Sequence, residues 1–330
     1  MAIEREAYLC LSAMLRAREP KLLNTEKSSR MLDAHSFEET AKLLTDCGYA
    51  DLTQMSAGEI DAYLNERRSV LFTEIERMCP QKEIVDVFRM KYDYHNAKTI
   101  IKSEAMGLSA GRLLSICGRM DGEKLLALYN DERCTELPGK MGSAVREAKT
   151  VLSRTNNPQL SDLILDKAYF AEIREAAENT GCGFFKGYAA VLTDCANLRS
   201  AVRVMRMGKR NALMDSVLID GGSVAVERLR KADDKEKLVS AFSNTVLENA
   251  AVLGGEALSG GSQTAFELEC DNAVNRYLNS ARRVSYGPEA VVEYLAAVEG
   301  EITAVRMILT GKLAGIDPQV IRERLRDLYA

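Results

Sequence analysis

The chain has no tryptophan, two histidines, six prolines and only 6% aromatic residues over 330 positions. So few prolines leave long stretches free to run as helix, because an interior proline removes a backbone donor and clashes with the preceding turn. Its eight cysteines (Cys10, Cys47, Cys79, Cys117, Cys134, Cys182, Cys195 and Cys270) contain no C-x-x-C pair, and only His35 and His95 could join them as metal ligands. Neither a zinc module nor a disulfide framework is written in that spacing. Buried, reduced thiols in a cytosolic protein are the expectation.

Long apolar runs are also missing. No stretch approaches the roughly 18 to 20 residues that cross a bilayer. The opening Met1-Ala-Ile-Glu4-Arg5-Glu6 lacks the basic and apolar regions of a signal peptide. Association with a membrane is therefore expected only through partner proteins. A net charge of −4 argues against a protein that tracks nucleic acid, which carries a clustered basic surface.

Catalytic signatures are absent too. A Walker loop needs G-x-x-x-x-G-K-S/T, and the nearest candidate, Gly311-Lys312-Leu313, lacks the hydroxyl and the first glycine. Gly181, Gly183 and Gly187 superficially resemble a dinucleotide fingerprint but join two helical segments, so a turn is the plain explanation. Asp233-Asp234 invites comparison with acidic magnesium motifs, yet Lys237 stands where a closing Asp would be, and a solvated charged turn is expected. No catalytic, cofactor-binding or metal-ligating residue is assigned.

What the sequence does have is a repeat. Asp93-Tyr-His-Asn96-Ala-Lys98-Thr-Ile-Ile-Lys102, reaching Gly107, recurs 101 residues later as Asp194-Cys-Ala-Asn197-Leu-Arg199-Ser-Ala-Val-Arg203, reaching Gly208. A third, degenerate copy runs Ala297-Val-Glu-Gly300-Glu-Ile302-Thr-Ala-Val-Arg306 to Gly311, keeping the final basic residue and the glycine but losing Asp and Asn. Each copy reads as a helix that follows a breaker: Pro80, the Gly181-Cys-Gly183 turn, or Gly287-Pro288. Preceding arms at 57–79, 160–180 and 263–286 make each copy the second half of a helical hairpin.

Apolar periodicity supports this. Phe184, Tyr188, Val191, Cys195, Leu198, Val202 and Met205 step by four and three and so share one helix face. The equivalent stripes are Val87, Met90, Tyr94, Ala97 and Ile101, and Val291, Tyr294, Val298, Val305 and Ile308. Glu301 interrupts the third stripe, so it must reach solvent or a hydrogen-bonding or cationic partner. The repeated Asp, Asn and basic positions read either as a polar edge that caps turns and pairs with neighbours, or as three quasi-equivalent contacts to a partner.

A shorter element, an acidic N-cap before an amphipathic helix, is expected at Asp33, Asp121, Asp220 and Asp317, the last running to Tyr329 with Pro318 in the first helical position. Nothing alternates with period two, so the fold class is all-α. The expected organisation is three similar helical units, 1–107, 108–208 and 209–312, with pseudo-threefold symmetry. Residues 313–330 form a closing helix that completes packing begun at the N-terminus.

These residues resemble the C-subunit family of the V/A-type ATPase or ATP synthase, related to the eukaryotic V-ATPase d protein, over essentially the whole chain. The strongest points are Tyr92-Asp93-x-x-Asn96-x-Lys98-x-x-x-Lys102, Asp194-x-x-Asn197-Leu-Arg199-x-Ala-x-Arg203 and Gly287-Pro-Glu-x-Val-x-x-Tyr294-Leu. Glu301-Ile-x-x-Val-Arg306-x-Ile-Leu-x-Gly311-Lys312 adds to them. The resemblance implies a funnel of three helical domains, a non-catalytic rotor spacer without nucleotide or other cofactor. It also implies that the funnel sits between the D and F proteins of the central shaft and the membrane proteolipid ring, on the cytoplasmic face. The alternative is an all-helical interaction scaffold such as a solenoid, whose units are usually shorter, about 35 to 45 residues. The resemblance further implies that the ion passes through the ring and never through this chain, so neither proton or sodium specificity nor the direction of turnover is encoded here.

Overall fold

A computed structural model describes residues 4–208 and 210–328, with side chains described outside 210–212. Residue 209, where the third unit is expected to begin, lies outside the described residues, as do Met1, Ala2, Ile3 and Tyr329. In chain order the helices are α1 (Leu9–Arg18), α2 (Thr25–Asp33), α3 (Phe37–Lys42), α4 (Ala57–Met78), α5 (Glu83–Met106), α6 (Gly122–Asn130), α7 (Met141–Thr155) and α8 (Pro158–Thr180). They continue as α9 (Gly183–Arg206), α10 (Arg210–Val217), α11 (Val226–Lys231), α12 (Lys235–Ala241), α13 (Glu248–Leu258), α14 (Gln263–Asn279), α15 (Pro288–Leu313) and α16 (Pro318–Arg322). No strand occurs among the described residues, so the protein is all-α.

Local chemistry sets the helix boundaries. Ser56 and Glu59 close a reciprocal capping box at the start of α4. Asn157 caps α8 just before Pro158, which needs no donor in the first turn. Gly181, at φ +70°, ends α8 in the left-handed region and lets α9 begin two residues later.

The chain divides into two compact units, one spanning Gln81–Gly261 and the other joining the described residues of Ile3–Pro80 and Ser262–Ala330. In the first, α8 packs against α5, α7 and α9, while α13 lies on α9 and α12. Its core gathers Tyr94, Ile101, Leu125, Met141, Val145 and Leu165, all nearly or fully excluded from solvent. In the second unit α15 is the hub, touching α1, α2, α3, α4, α14 and α16. The buried pair Arg68–Glu299 (2.6 Å) joins α4 to α15.

One hairpin expectation, the pairing of 57–79 with the first marked helix, needs correction. α5 takes α8 as its main partner within the first unit, and α4 takes α15 within the second. Contiguous arms do pair in α8–α9 and α14–α15. Adjacency along the chain therefore sets some of the pairs, and long-range packing sets the others.

The first and third stripes are buried as read; in the second, Phe184 and Met205 are half-buried, while Phe185 and Val204 are buried beside the rest. Of the four expected acidic caps, Asp121 and Asp317 cap α6 and α16. Asp33 instead ends α2, and Ser36 caps α3. Asp220 lies in a loop ahead of α11, which has no side-chain cap. The final helix is only Pro318–Arg322, yet it packs on α2, and Arg322 donates to Asp33 at 2.7 Å.

Candidate functional site

The repeated polar residues are the chemistry-bearing groups common to the copies, and the structure turns most of them inward. Asp93, Asn96 and Asn197 are 0% exposed and Asp194 1%, which removes them from any contact with a partner. Asn96, on α5, accepts from the Ser115 N–H (2.7 Å) and donates to the Ser115 carbonyl (2.9 Å). Asn197, on α9, does the same to Ile219, both at 2.8 Å. Each asparagine therefore holds the segment that returns along its own helix, satisfying a buried donor and acceptor together.

The aspartates fasten the same segments further along. Asp194 accepts from the backbone N–H groups of Ser223 (2.9 Å) and Val224 (3.1 Å) and from the Ser223 hydroxyl. Asp93 accepts from the Met120 N–H (3.3 Å) and the Arg119 guanidinium (2.6 Å). Burial raises the carboxyl pKa of both, and the donors pull it back only in part. A glycine makes room for each carboxylate: a Cβ on Gly118 would stand 2.3 Å from Asp93 Oδ1, and one on Gly222 2.0 Å from Asp194 Oδ1.

Arg119 also donates to Glu172 of α8 (2.7 Å), which accepts from the Tyr94 hydroxyl (2.8 Å). Burial and the adjacent carboxylate push Tyr94 well above the usual phenol range. The basic positions of the first copy pair across helices, Lys98 with Asp166 (2.5 Å) and Lys102 with Asp162 (2.7 Å), both on α8, whereas Arg199 of the second donates to the Cys195 sulfur on its own helix (3.2 Å). Arg306, the equivalent of Lys102, pairs with Asp61 of α4 at 2.6 Å.

In the third copy Ala297 and Gly300 can hold nothing, and the fastening moves to α14. Asn272 accepts from the Asp327 N–H (2.9 Å), Asn275 donates to the Asp327 carbonyl (3.0 Å), and Arg326 pairs with Asp271 (2.9 Å). Glu301, which faces inward, accepts from the Leu23 N–H and the Tyr49 hydroxyl, both at 2.6 Å. Burial raises its pKa despite those donors. It lies at the wall of a cavity of about 590 Å³ that also touches Arg18, Arg67, Glu74 and Tyr294. Arg18 forks onto Glu74, and Arg67 stacks 4.1 Å from the Tyr49 ring centre while donating to the Gly48 carbonyl.

Sequence reading named the Asp, Asn and basic positions but missed Arg119, Glu172, Tyr49 and the α14 trio. Gly118 and Gly222, 25 and 28 residues behind their aspartates, were the signal for the close approach. Lys237 pairs with Asp233 (2.6 Å) beside Asp234, which caps α12, so that acidic pair is a charged turn. Among the described residues no group of three or more His, Cys, Asp or Glu could hold a metal, and seven of the eight free cysteines are buried, Cys10 being exposed. No helix among them is long and apolar enough to cross a membrane.

This is a class of all-helical protein whose repeated polar groups fasten its own loops. The model of the ATP synthase (C/AC39) subunit family matches residues 11–324, and the chain belongs to that family. It is 22% identical over 329 residues to the C subunit of the V-type sodium ATPase of Enterococcus hirae, covering 98% of this chain and 99% of that one. It is also 26% identical to the C subunit of the A-type ATP synthase of Methanocaldococcus jannaschii, covering 99% and 88%, respectively. The C subunit of the V-type ATP synthase of Thermus thermophilus is 23% identical over 68% of this chain and 70% of its own. An unrelated helical scaffold is thereby excluded.

Proposed function

We propose that this chain is the non-catalytic central-stalk adaptor of a V/A-type rotary ATPase or ATP synthase, linking the D and F shaft proteins to the proteolipid ring. It works on the cytoplasmic face of the membrane, held there by partners. The observation that carries this reading is the family match across nearly the whole chain. In this reading the three copies build units of 1–107, 108–208 and 209–312, closed by 313–330, in a pseudo-threefold funnel. Torque passes through packed helices. An adaptor under load must deform little, and close-packed interiors with cross-helix ion pairs such as Arg68–Glu299 and Lys102–Asp162 resist deformation. Proton or sodium transport then follows from the ring this chain grips.

Capture experiments test it. Purified chain is expected to retain a D–F complex and, separately, a detergent-solubilised proteolipid ring, and to hydrolyse no ATP by itself. Retention of neither would overturn the reading.

A further inference from the structure

The cavity of about 590 Å³ beside Glu301 lies wholly within the second compact unit. Its walls come from the end of α1, the turns at Lys21–Leu22 and Cys47–Gly48, one face of α4, and α15. The volume falls within the roughly 300–1,000 Å³ of small-molecule sites, which combine an apolar lining with a few placed polar groups. Both parts are present. The apolar part is Leu22, Val70, Leu71 and Val298 with the ring of Tyr294. Val70 is 61% exposed, so the mouth presents uncovered apolar surface to water.

The polar part centres on Arg67. Its guanidinium lies 4.1 Å from the Tyr49 ring centre and donates to the carbonyls of Gly48 (2.9 Å) and Cys47 (3.5 Å). The stack and the two carbonyls fix its direction without neutralising its charge, and among the described residues Arg67 makes no ion pair. The rest of its donor fork is uncommitted. Arg18, by contrast, commits both terminal nitrogens to Glu74. Lys21, exposed at the rim, has no ion pair among the described residues either.

The lining charges set the valence of a ligand. Arg18 and Glu74 cancel, and burial disfavours the charge on Glu301. Arg67 and Lys21 then face only Glu66. One negative charge completes that balance, whereas a phosphate dianion would be repelled by Glu66 and Glu74.

We propose that this cavity binds a small monocarboxylic acid with an apolar chain, its carboxylate on the Arg67 fork and its chain against Val70, Leu71 and Val298. The two oxygens of a carboxylate match the guanidinium fork. The chain covers side chains that otherwise meet water. This inference goes beyond the adaptor reading and does not depend on it.

Titration of the full chain with decanoate, followed by calorimetry, tests the proposal. Saturable binding of one decanoate per chain is expected, with decanol and decyl phosphate each about tenfold or more weaker. Arg67→Gln is expected to weaken decanoate about tenfold, and Arg67→Lys less, because it keeps the charge and loses the fork. Arg67 also braces the turn at Cys47–Gly48, so Lys21→Glu and Val70→Asp, both at exposed positions, carry the test if the Arg67 variants misfold. Each is expected to weaken decanoate, whereas Val320→Asp, on α16 outside the cavity, leaves it unchanged. The proposal is overturned by the absence of saturable binding up to about 1 mM decanoate. Equal binding by wild type, Lys21→Glu and Val70→Asp overturns it too, as does decanol binding as tightly as decanoate.

Discussion

The first two repeat copies and the third solve one problem differently. On α5 and α9 the marked helix itself fastens the returning segment, through Asp93 with Asn96 and through Asp194 with Asn197. On α15 those positions are Ala297 and Gly300, and the neighbouring helix α14 supplies Asp271, Asn272 and Asn275 to hold Arg326 and Asp327. What persists is the need to satisfy backbone groups of a segment packed against a helix; which helix supplies the side chain is free to change. The third copy looks degenerate in sequence because its fastening crossed to a different element.

Asp93→Ala is the strongest way to break the comparison. It takes one of two carboxylates from Arg119, which keeps Glu172, and strands the Met120 N–H, and losing a charged hydrogen bond together with a buried donor's partner costs about 3–5 kcal/mol. Chemical denaturation of the variant is expected to read that loss. Asn197→Ala strands the Ile219 donor and acceptor together, for about 2–4 kcal/mol, whereas Asn272→Ala at the partly buried third clamp is expected to cost about 1 kcal/mol. Equal losses at 197 and 272 would erase the distinction drawn between the copies.

Gly222→Ala sharpens it further. The new methyl meets Asp194 Oδ1, and overpacking of this kind costs about 1–3 kcal/mol. Combined with Asp194→Ala the penalty is expected to shrink, so a double-mutant cycle should give a coupling of about 1 kcal/mol or more. Strict additivity would show that the glycine serves the turn alone.

The smallest effect concerns Glu301. Its folded pKa is raised from 4.5, so the folded chain binds more protons than the unfolded one above that pH. The associated stability is fully present below the unfolded value and is lost as pH rises through the folded one. Glu301→Gln removes that titration, and its stability is expected to be flatter than wild type as pH rises from about 4.5. An unchanged slope would mean that the carboxyl titrates as it does when unfolded.

Helix content, most long-helix boundaries and the buried stripes were legible because they depend on local periodicity and breakers. Pairing was not. Which long helix meets α5 depends on how the apolar faces of Leu165 and Ile101 fit together, information spread over more than sixty residues. The polar repeat was visible while its role stayed open, since Asp and Asn at that spacing serve either a loop or a partner until burial is known. Asp33 and Asp220 misled for a related reason: an acidic residue before an amphipathic run is only a cap when its side chain reaches the first-turn N–H groups.

The second unit is assembled from chain segments far apart in the gene's reading order. Leu23 waits for Glu301, 278 residues downstream, and Arg16 for Glu293. During synthesis the Gln81–Gly261 unit can emerge and pack first, while α1 to α4 stand with uncovered apolar faces until α15 leaves the ribosome. A message truncated before α15 would thus yield a product with one finished unit and one exposed, aggregation-prone remnant.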